Sequence, residues 1–267
     1  MKTILLPTDF SNNSLLACDF AVSKLGEKDT NYVLNYVYNI PMGGTSGLFY
    51  LMEELQKQGK ADLKEFKHKI ETDFQLNESQ VESHLIQGNF VDETTNLAEQ
   101  VNASCIVVGT KGSSGLKEVL VGSNTLQLIK STKHTLYIVP ENYKELMLNK
   151  IIIAYDGKEM DPKTAKEAIY FAKKHQLPIE LLHIRLKDES PIQDWSKIKS
   201  FFTGIEVDVH EVWGESIEDG LKKGTEKAEG ILVMTYRKKS FWERFFNISD
   251  TRDAVMQAKL PMLIVPE

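Results

Sequence analysis

Two cysteines in 267 residues, Cys18 and Cys105, leave little thiol chemistry to consider. Each lies in an apolar stretch, so the expectation is a pair of reduced core thiols rather than a disulfide framework or a thiolate metal site. Excess positive charge is also lacking. The formal net charge is −6 and the pI about 5.6, which argues against a broad nucleic-acid surface. No apolar run reaches the roughly 20 residues that a membrane span requires. The apolar start of "MKTILLPTDF" is too short for a signal peptide, so a cytoplasmic, soluble chain without membrane contact is expected. Signatures of catalysis are sparse. There is no G-x-S-x-G elbow and no Cys-x-x-Cys pair, and the six histidines show no metal-ligand spacing.

Only 16 glycines are present, yet Gly109, Gly112, Gly115 and Gly122 fall in one window, "VVGTKGSSGLKEVLVGSNT". Val107 and Val108 read as the end of a buried strand. Glycine at such a point implies an unusual backbone conformation or a backbone that another group must approach closely. Free N–H groups between Gly109 and Gly115 could form an anion-binding nest. Gly122-Ser123-Asn124 then opens a helix, with Ser123 expected as its N-cap and the helix start as a second anion-binding device. Lys111 and Lys117 would add charge. The window is not a P-loop, because no Gly-Lys-Ser/Thr follows, and it lacks the G-x-G-x-x-G spacing of a dinucleotide fingerprint. A purely structural glycine turn is the alternative reading.

The chain also repeats itself. "KTILLPTDFSNNSLLACDFAVSKLG" corresponds to the segment from Asn149, each with a short apolar strand ending at an aspartate, Asp9 or Asp156. The segment from Cys105 to Pro140 lies over that from Ile231 to Pro266 without a gap, and both close on Ile-Val-Pro. His84 and His210 fall at equivalent positions, which suits a duplicated structural role. Such register implies a duplicated domain: residues 1–140 and 149–267, joined by a polar linker at 141–148. Apolar, β-branched runs alternate with amphipathic helical stretches in each half. In the first half they predict strands near Thr3–Leu6, Tyr32–Tyr38, Val81–Ile86, Ser104–Val108 and Thr135–Val139. That pattern predicts an α/β fold of two doubly wound domains, each a five-stranded parallel sheet flanked by helices. Between its second and third strands the first half carries extra helical sequence. Leu48, Leu51, Met52 and Leu55, then Leu63, Phe66, Ile70 and Phe74, recur at helical spacing, as a covering helix or a lid would.

The spacing Gly109, two residues, Gly112, nine residues, Gly122, Ser123 resembles the nucleotide motif of the universal stress protein family, in its tandem two-domain form. "ILLPTDFS" is similar to that family's first strand and turn, and "LYIVP" and "MLIVP" to its last strand. The resemblance implies an adenine nucleotide (ATP, or ADP or AMP) with Mg²⁺, held by Pro7, Thr8, Asp9, Val37, Val108, Gly109, Gly112, Gly122, Ser123 and Asn124. Asp9 has a second reading as a loop residue that bonds its own backbone. The resemblance further implies that the halves pair about a pseudo-two-fold axis through Leu136–Val139 and Met262–Val265, and that a homodimer or a protein partner follows. It implies a nucleotide-dependent regulator of stress adaptation rather than an enzyme. A slow ATPase or phosphotransfer timer and a nucleotide-independent interaction module are the alternatives. The second half departs from the motif: Thr235, Lys238 and Ile248 replace Gly109, Gly112 and Gly122, and only Ser249 persists. Phosphate binding is therefore not expected there. The basic, aromatic stretch with Phe241, Trp242, Phe245 and Phe246 reads first as a packing surface.

Overall fold

The computed structural model describes residues 1–39, 48–110, 122–157, 159–187, 189–237 and 260–267. Two compact units divide the chain, the first ending at Glu141 and the second beginning at Asn142. Within the expected linker, Tyr143 is buried in a single helical turn, Tyr143–Glu145.

In the first unit the order is β1 (Lys2–Pro7), α1 (Asn12–Phe20), β2 (Thr30–Tyr38), α2 (Leu48–Asp73), β3 (Val81–Gln87), α3 (Phe90–Gln100), β4 (Cys105–Gly109), α4 (Ser123–Ser131) and β5 (Leu136–Val139). All the strands run parallel in the order β3-β2-β1-β4-β5. Ile4, Leu5, Leu6, Ile106 and Val107 are at most 1 % exposed, as expected of strands covered on both faces. The chain steps outward from β1 through β2 to β3, then returns past both to place β4 on the other side of β1. The switch in winding direction therefore falls between β1 and β4, where Ile4 registers with Cys105 and Leu5 with Ile106.

The extra helical sequence forms α2, 26 residues long. Leu63, Phe66 and Ile70 are buried, and Gly59 lets the helix approach so closely that a Cβ there would lie 3.1 Å from Leu85 and 3.2 Å from Tyr36. This part is a covering helix. Its first turns are different, with Tyr50 79 % exposed. The glycines that precede it lie outside the described residues.

The second unit repeats the plan with β6 (Lys150–Tyr155), α5 (Pro162–His175), β7 (Ile179–Arg185), α6 (Ser196–Lys199), β8 (Val207–Trp213), α7 (Ile217–Thr225), β9 (Gly230–Tyr236) and β10 (Met262–Pro266). Its strands are again parallel, in the order β10-β9-β6-β7-β8. The duplication extends to register. His84 on β3 stands opposite Asn35, and His210 on β8 stands opposite Leu182, at the corresponding place in the sheet. Among the described residues no helix is long and apolar enough to cross a membrane.

Candidate functional site

Ligands of open parallel sheets settle beyond the carboxyl ends of the strands, where the winding reverses. At that place in the first unit an open cleft of about 210 Å³ is lined by Pro7, Thr8 and Asp9 from the end of β1, Tyr36 and Val37 from β2, and Val108 and Gly109 from β4. Ser14 of α1, Phe90 of α3, Gly122, and Ser123, Asn124 and Thr125 of α4 complete its wall. Nine of the ten residues singled out from the sequence are thus brought together. The tenth, Gly112, lies outside the described residues, as do Lys111, Gly115 and Lys117.

The loop after β1 is held by its own side chains. Thr8 Oγ1 accepts the Phe10 N–H (3.0 Å), and Asp9 Oδ1 accepts the Ser11 N–H (3.1 Å). Asp9 therefore bonds its own loop and lines the cleft at once. Phe10 takes a φ of 64°, a left-handed conformation that a bulky residue adopts only under constraint. Its ring offsets that strain by packing 4.6 Å from Tyr36 and 5.7 Å from Phe66. The hydroxyl of Thr8 also donates to Ser14 Oγ (3.0 Å), and Thr125 Oγ1 donates to the carbonyl of Gly109 (3.3 Å). These bonds tie the floor of the cleft to α1 on one side and α4 on the other.

The glycines serve different ends from those their clustering suggests. Neither Gly109 nor Gly122 has a left-handed φ. At Gly109 the constraint is packing: a Cβ would come within 2.5 Å of Asn13 Oδ1, whose amide donates to Thr110 Oγ1 at 3.2 Å. At Gly122 φ is −59° and ψ 152°, and among the described residues a Cβ would meet nothing nearer than 3.8 Å, the Thr110 carbonyl. The described part of the fold makes no demand for glycine there. Ser123 is not the N-cap, as its position suggested, but the first residue of α4; the cap is Gly122, which has no side chain to offer. By contrast, α1, α3, α5 and α7 begin at Ser11, Asn89, Asp161 and Ser216, each accepting a first-turn N–H. The α4 helix thus presents first-turn N–H groups, which have no partner within a helix, at the edge of the cleft.

Four lining residues are absent from the sequence reading. Ser14 and Thr125 carry a weak signal, as small polar residues one turn into helices that follow the relevant strands. Tyr36 precedes Val37 and points to the face covered by α2. Phe90 opens α3, which belongs to no part of the glycine motif. A second groove, of about 810 Å³, runs between α2 and the edge strand β3, with Lys64, Lys67, His68, Glu71 and His84 among its lining residues. It gathers none of the motif residues, and its charges partly pair, as in Lys67 with Glu71 at 3.5 Å.

Among the described residues, side chains occupy the equivalent place in the second unit. Thr235 stands where Gly109 stands, and its hydroxyl is 2.8 Å from that of Thr164. Arg237 Nη2 donates to the Glu159 carbonyl (2.9 Å), and its Nε lies 3.6 Å from the Glu267 carboxylate. Tyr155, His183 and Trp195 pack together, with Trp195 5.8 Å from each of the other two rings. The space left beside Asp156 and Thr235 is about 10 Å³. Lys238, Ile248, Ser249 and the aromatic stretch lie outside the described residues.

An open parallel sheet with a cleft at its switch point defines a doubly wound α/β protein. Comparison with known proteins makes this more specific. The family described as "Universal stress protein family" matches residues 1–140, and the chain belongs to that family. The universal stress protein MJ0531 of Methanocaldococcus jannaschii is 31% identical over 148 residues, 54% of this chain and 85% of that protein. MJ0577 from the same organism is 28% identical over 153 residues, 52% of this chain and 94% of that one. The crystal structure of a universal stress protein from Archaeoglobus fulgidus matches 99% of this chain and 96% of its own, with a TM-score of 0.71 at 22% identity. That likeness establishes a shared fold over both units.

Proposed function

We propose that the first unit binds an adenine nucleotide, with ATP as the working ligand, and that the chain is a nucleotide-dependent regulator in stress adaptation. The observation that carries this reading is Gly122. It is a glycine with ordinary dihedrals and, among the described residues, room for a Cβ, placed at a helix start that no side chain of its own caps and lining the cleft. The requirement it meets is therefore close approach from outside, and a phosphate on the N–H groups of α4 supplies it. The base end then lies toward β2, where Val37 lines the cleft, and the sugar lies beside Asp9. Among the described residues no group of three His, Cys, Asp or Glu side chains could hold a metal. Mg²⁺ would accordingly enter bound to phosphate oxygens.

Calorimetric titration of nucleotide-stripped protein with Mg²⁺-ATP tests the reading. One site per chain is expected, lost in Gly122→Val. Absence of heat with the unaltered protein would overturn it.

A further inference from the structure

The nucleotide reading says where phosphate would sit, but names no side chain that chooses the base. Neighbouring strands are about 4.8 Å apart, so the step from β4 across β1 to β2 covers about 10 Å. Gly122 and Ser123 line the cleft from the segment that follows β4. Tyr36 lines it from β2, and Phe90 follows Gly88, whose N–H donates to the Tyr38 carbonyl at the end of β2 (3.0 Å).

These two rings are not equivalent. Tyr36 is committed to the fold, packed 4.6 Å from Phe10 and pressed by the close approach of α2 at Gly59. Phe90 is only half-buried and stacks on no other ring among the described residues. It continues the buried stripe of Thr94, Leu97 and Ala98 by one further turn. That turn follows the end of β3 at Gln87; Val91 in it is buried, and Phe90 lines the cleft. The turn is held firmly, because Asn89 Oδ1 accepts the N–H groups of Val91 (2.9 Å) and Asp92 (3.3 Å). A partly exposed aromatic ring on a capped first turn, on the β2 side of the cleft, is a preorganised stacking surface.

We infer that Phe90 is a specificity-determining residue, whose ring is the platform on which the base of the bound nucleotide stacks. The inference rests on the nucleotide reading above and adds the means of base selection. A purine offers the larger face, so the ring favours ATP over a pyrimidine nucleotide.

The test measures binding of Mg²⁺-ATP, Mg²⁺-UTP and inorganic tripolyphosphate with Mg²⁺ to the unaltered protein, Phe90→Ala and Phe90→Trp. Loss of one base–aromatic stack corresponds to about tenfold weaker ATP binding in Phe90→Ala. Tripolyphosphate, which has no base, is expected to bind all three proteins equally, which also shows that the alanine variant is folded. The preference for ATP over UTP is expected to shrink in Phe90→Ala and return in Phe90→Trp. Unchanged ATP affinity in Phe90→Ala overturns the inference while leaving nucleotide binding intact. A parallel loss of ATP and tripolyphosphate overturns it too, by making Phe90 structural. If the unaltered protein binds neither ATP nor tripolyphosphate, the nucleotide reading itself has failed and this inference falls with it.

Discussion

Gly109 and Gly122 look interchangeable in the motif, yet their surroundings separate them. A methyl group on Gly109 must displace the buried amide of Asn13, and overpacking of this kind costs about 1–3 kcal/mol. On Gly122 the same methyl group meets nothing nearer than 3.8 Å among the described residues. Gly109→Ala is therefore expected to lower the urea midpoint clearly, whereas Gly122→Ala leaves it almost unchanged and weakens Mg²⁺-ATP binding. A Gly122→Ala variant that binds as well as the unaltered protein would remove the reason for placing phosphate at α4. Cys18 supplies a second residue-scale prediction. Burial, followed by the negative charge of Asp19, pushes its thiol far above the usual range, and Cys105 is buried within β4. Since the thiolate is the reactive form, the native protein should show almost no rapid reaction with a thiol reagent at pH 8, against two thiols per chain in urea. Fast modification without denaturant would contradict the core placement of both.

At the scale of elements, the strands were legible because burial on both faces writes them as short apolar, β-branched runs. Each of the five expected in the first unit lies within two residues of its place. Gly109 and Gly122 were legible as candidates for the cleft wall because their spacing belongs to one continuous segment. Ser14, Tyr36, Phe90 and Thr125 were not, since they reach the cleft from four different elements and only the sheet order brings them together. The N-cap of α4 was misplaced for a related reason: propensity favours Ser at a cap, but Gly122 leaves the helix start open. The α2 helix was read with two alternatives, and the structure divides it between them. Phe66 is 6 % exposed within the covering part, so Phe66→Ala should cost about 3–5 kcal/mol, while Tyr50→Ala should fall within about 0.5 kcal/mol of the unaltered protein. Equal effects in urea titration would mean that α2 does not cover the sheet as described. On β2, burial pushes the Tyr32 hydroxyl up to about 12, a hydrogen bond with Thr30 opposing it. A folded-state value raised above the ordinary 10 favours the protonated form in the native protein. Its contribution is complete below about pH 10 and is lost as pH climbs from there toward 12. Replacing Tyr32 with Phe should flatten the fall in stability over that alkaline window, as followed by denaturant midpoints at successive pH values.

For the whole molecule, duplication has produced two units of one plan with opposite provisions at their switch points. In the first unit glycine, small hydroxyls and the ring of Phe90 are among the groups lining an open cleft of about 210 Å³. In the second, the Thr164–Thr235 pair, the Arg237 contacts and the packing of Trp195 on Tyr155 and His183 leave about 10 Å³. On the reading proposed above one nucleotide per chain is expected, and the difference also says where its energy should be felt. At a free concentration a hundredfold above its dissociation constant, a ligand stabilises the state that binds it by about 2.7 kcal/mol. Hydrogen exchange on the full chain with Mg²⁺-ATP should therefore slow in the amides after β1 and in the first turn of α4. The matching amides after β6 and at the end of β9 should keep their rates. Slowing at both places, with two nucleotides bound, would mean that the packed rings of the second unit yield to ligand and that its crevice is a closed site rather than a filled one.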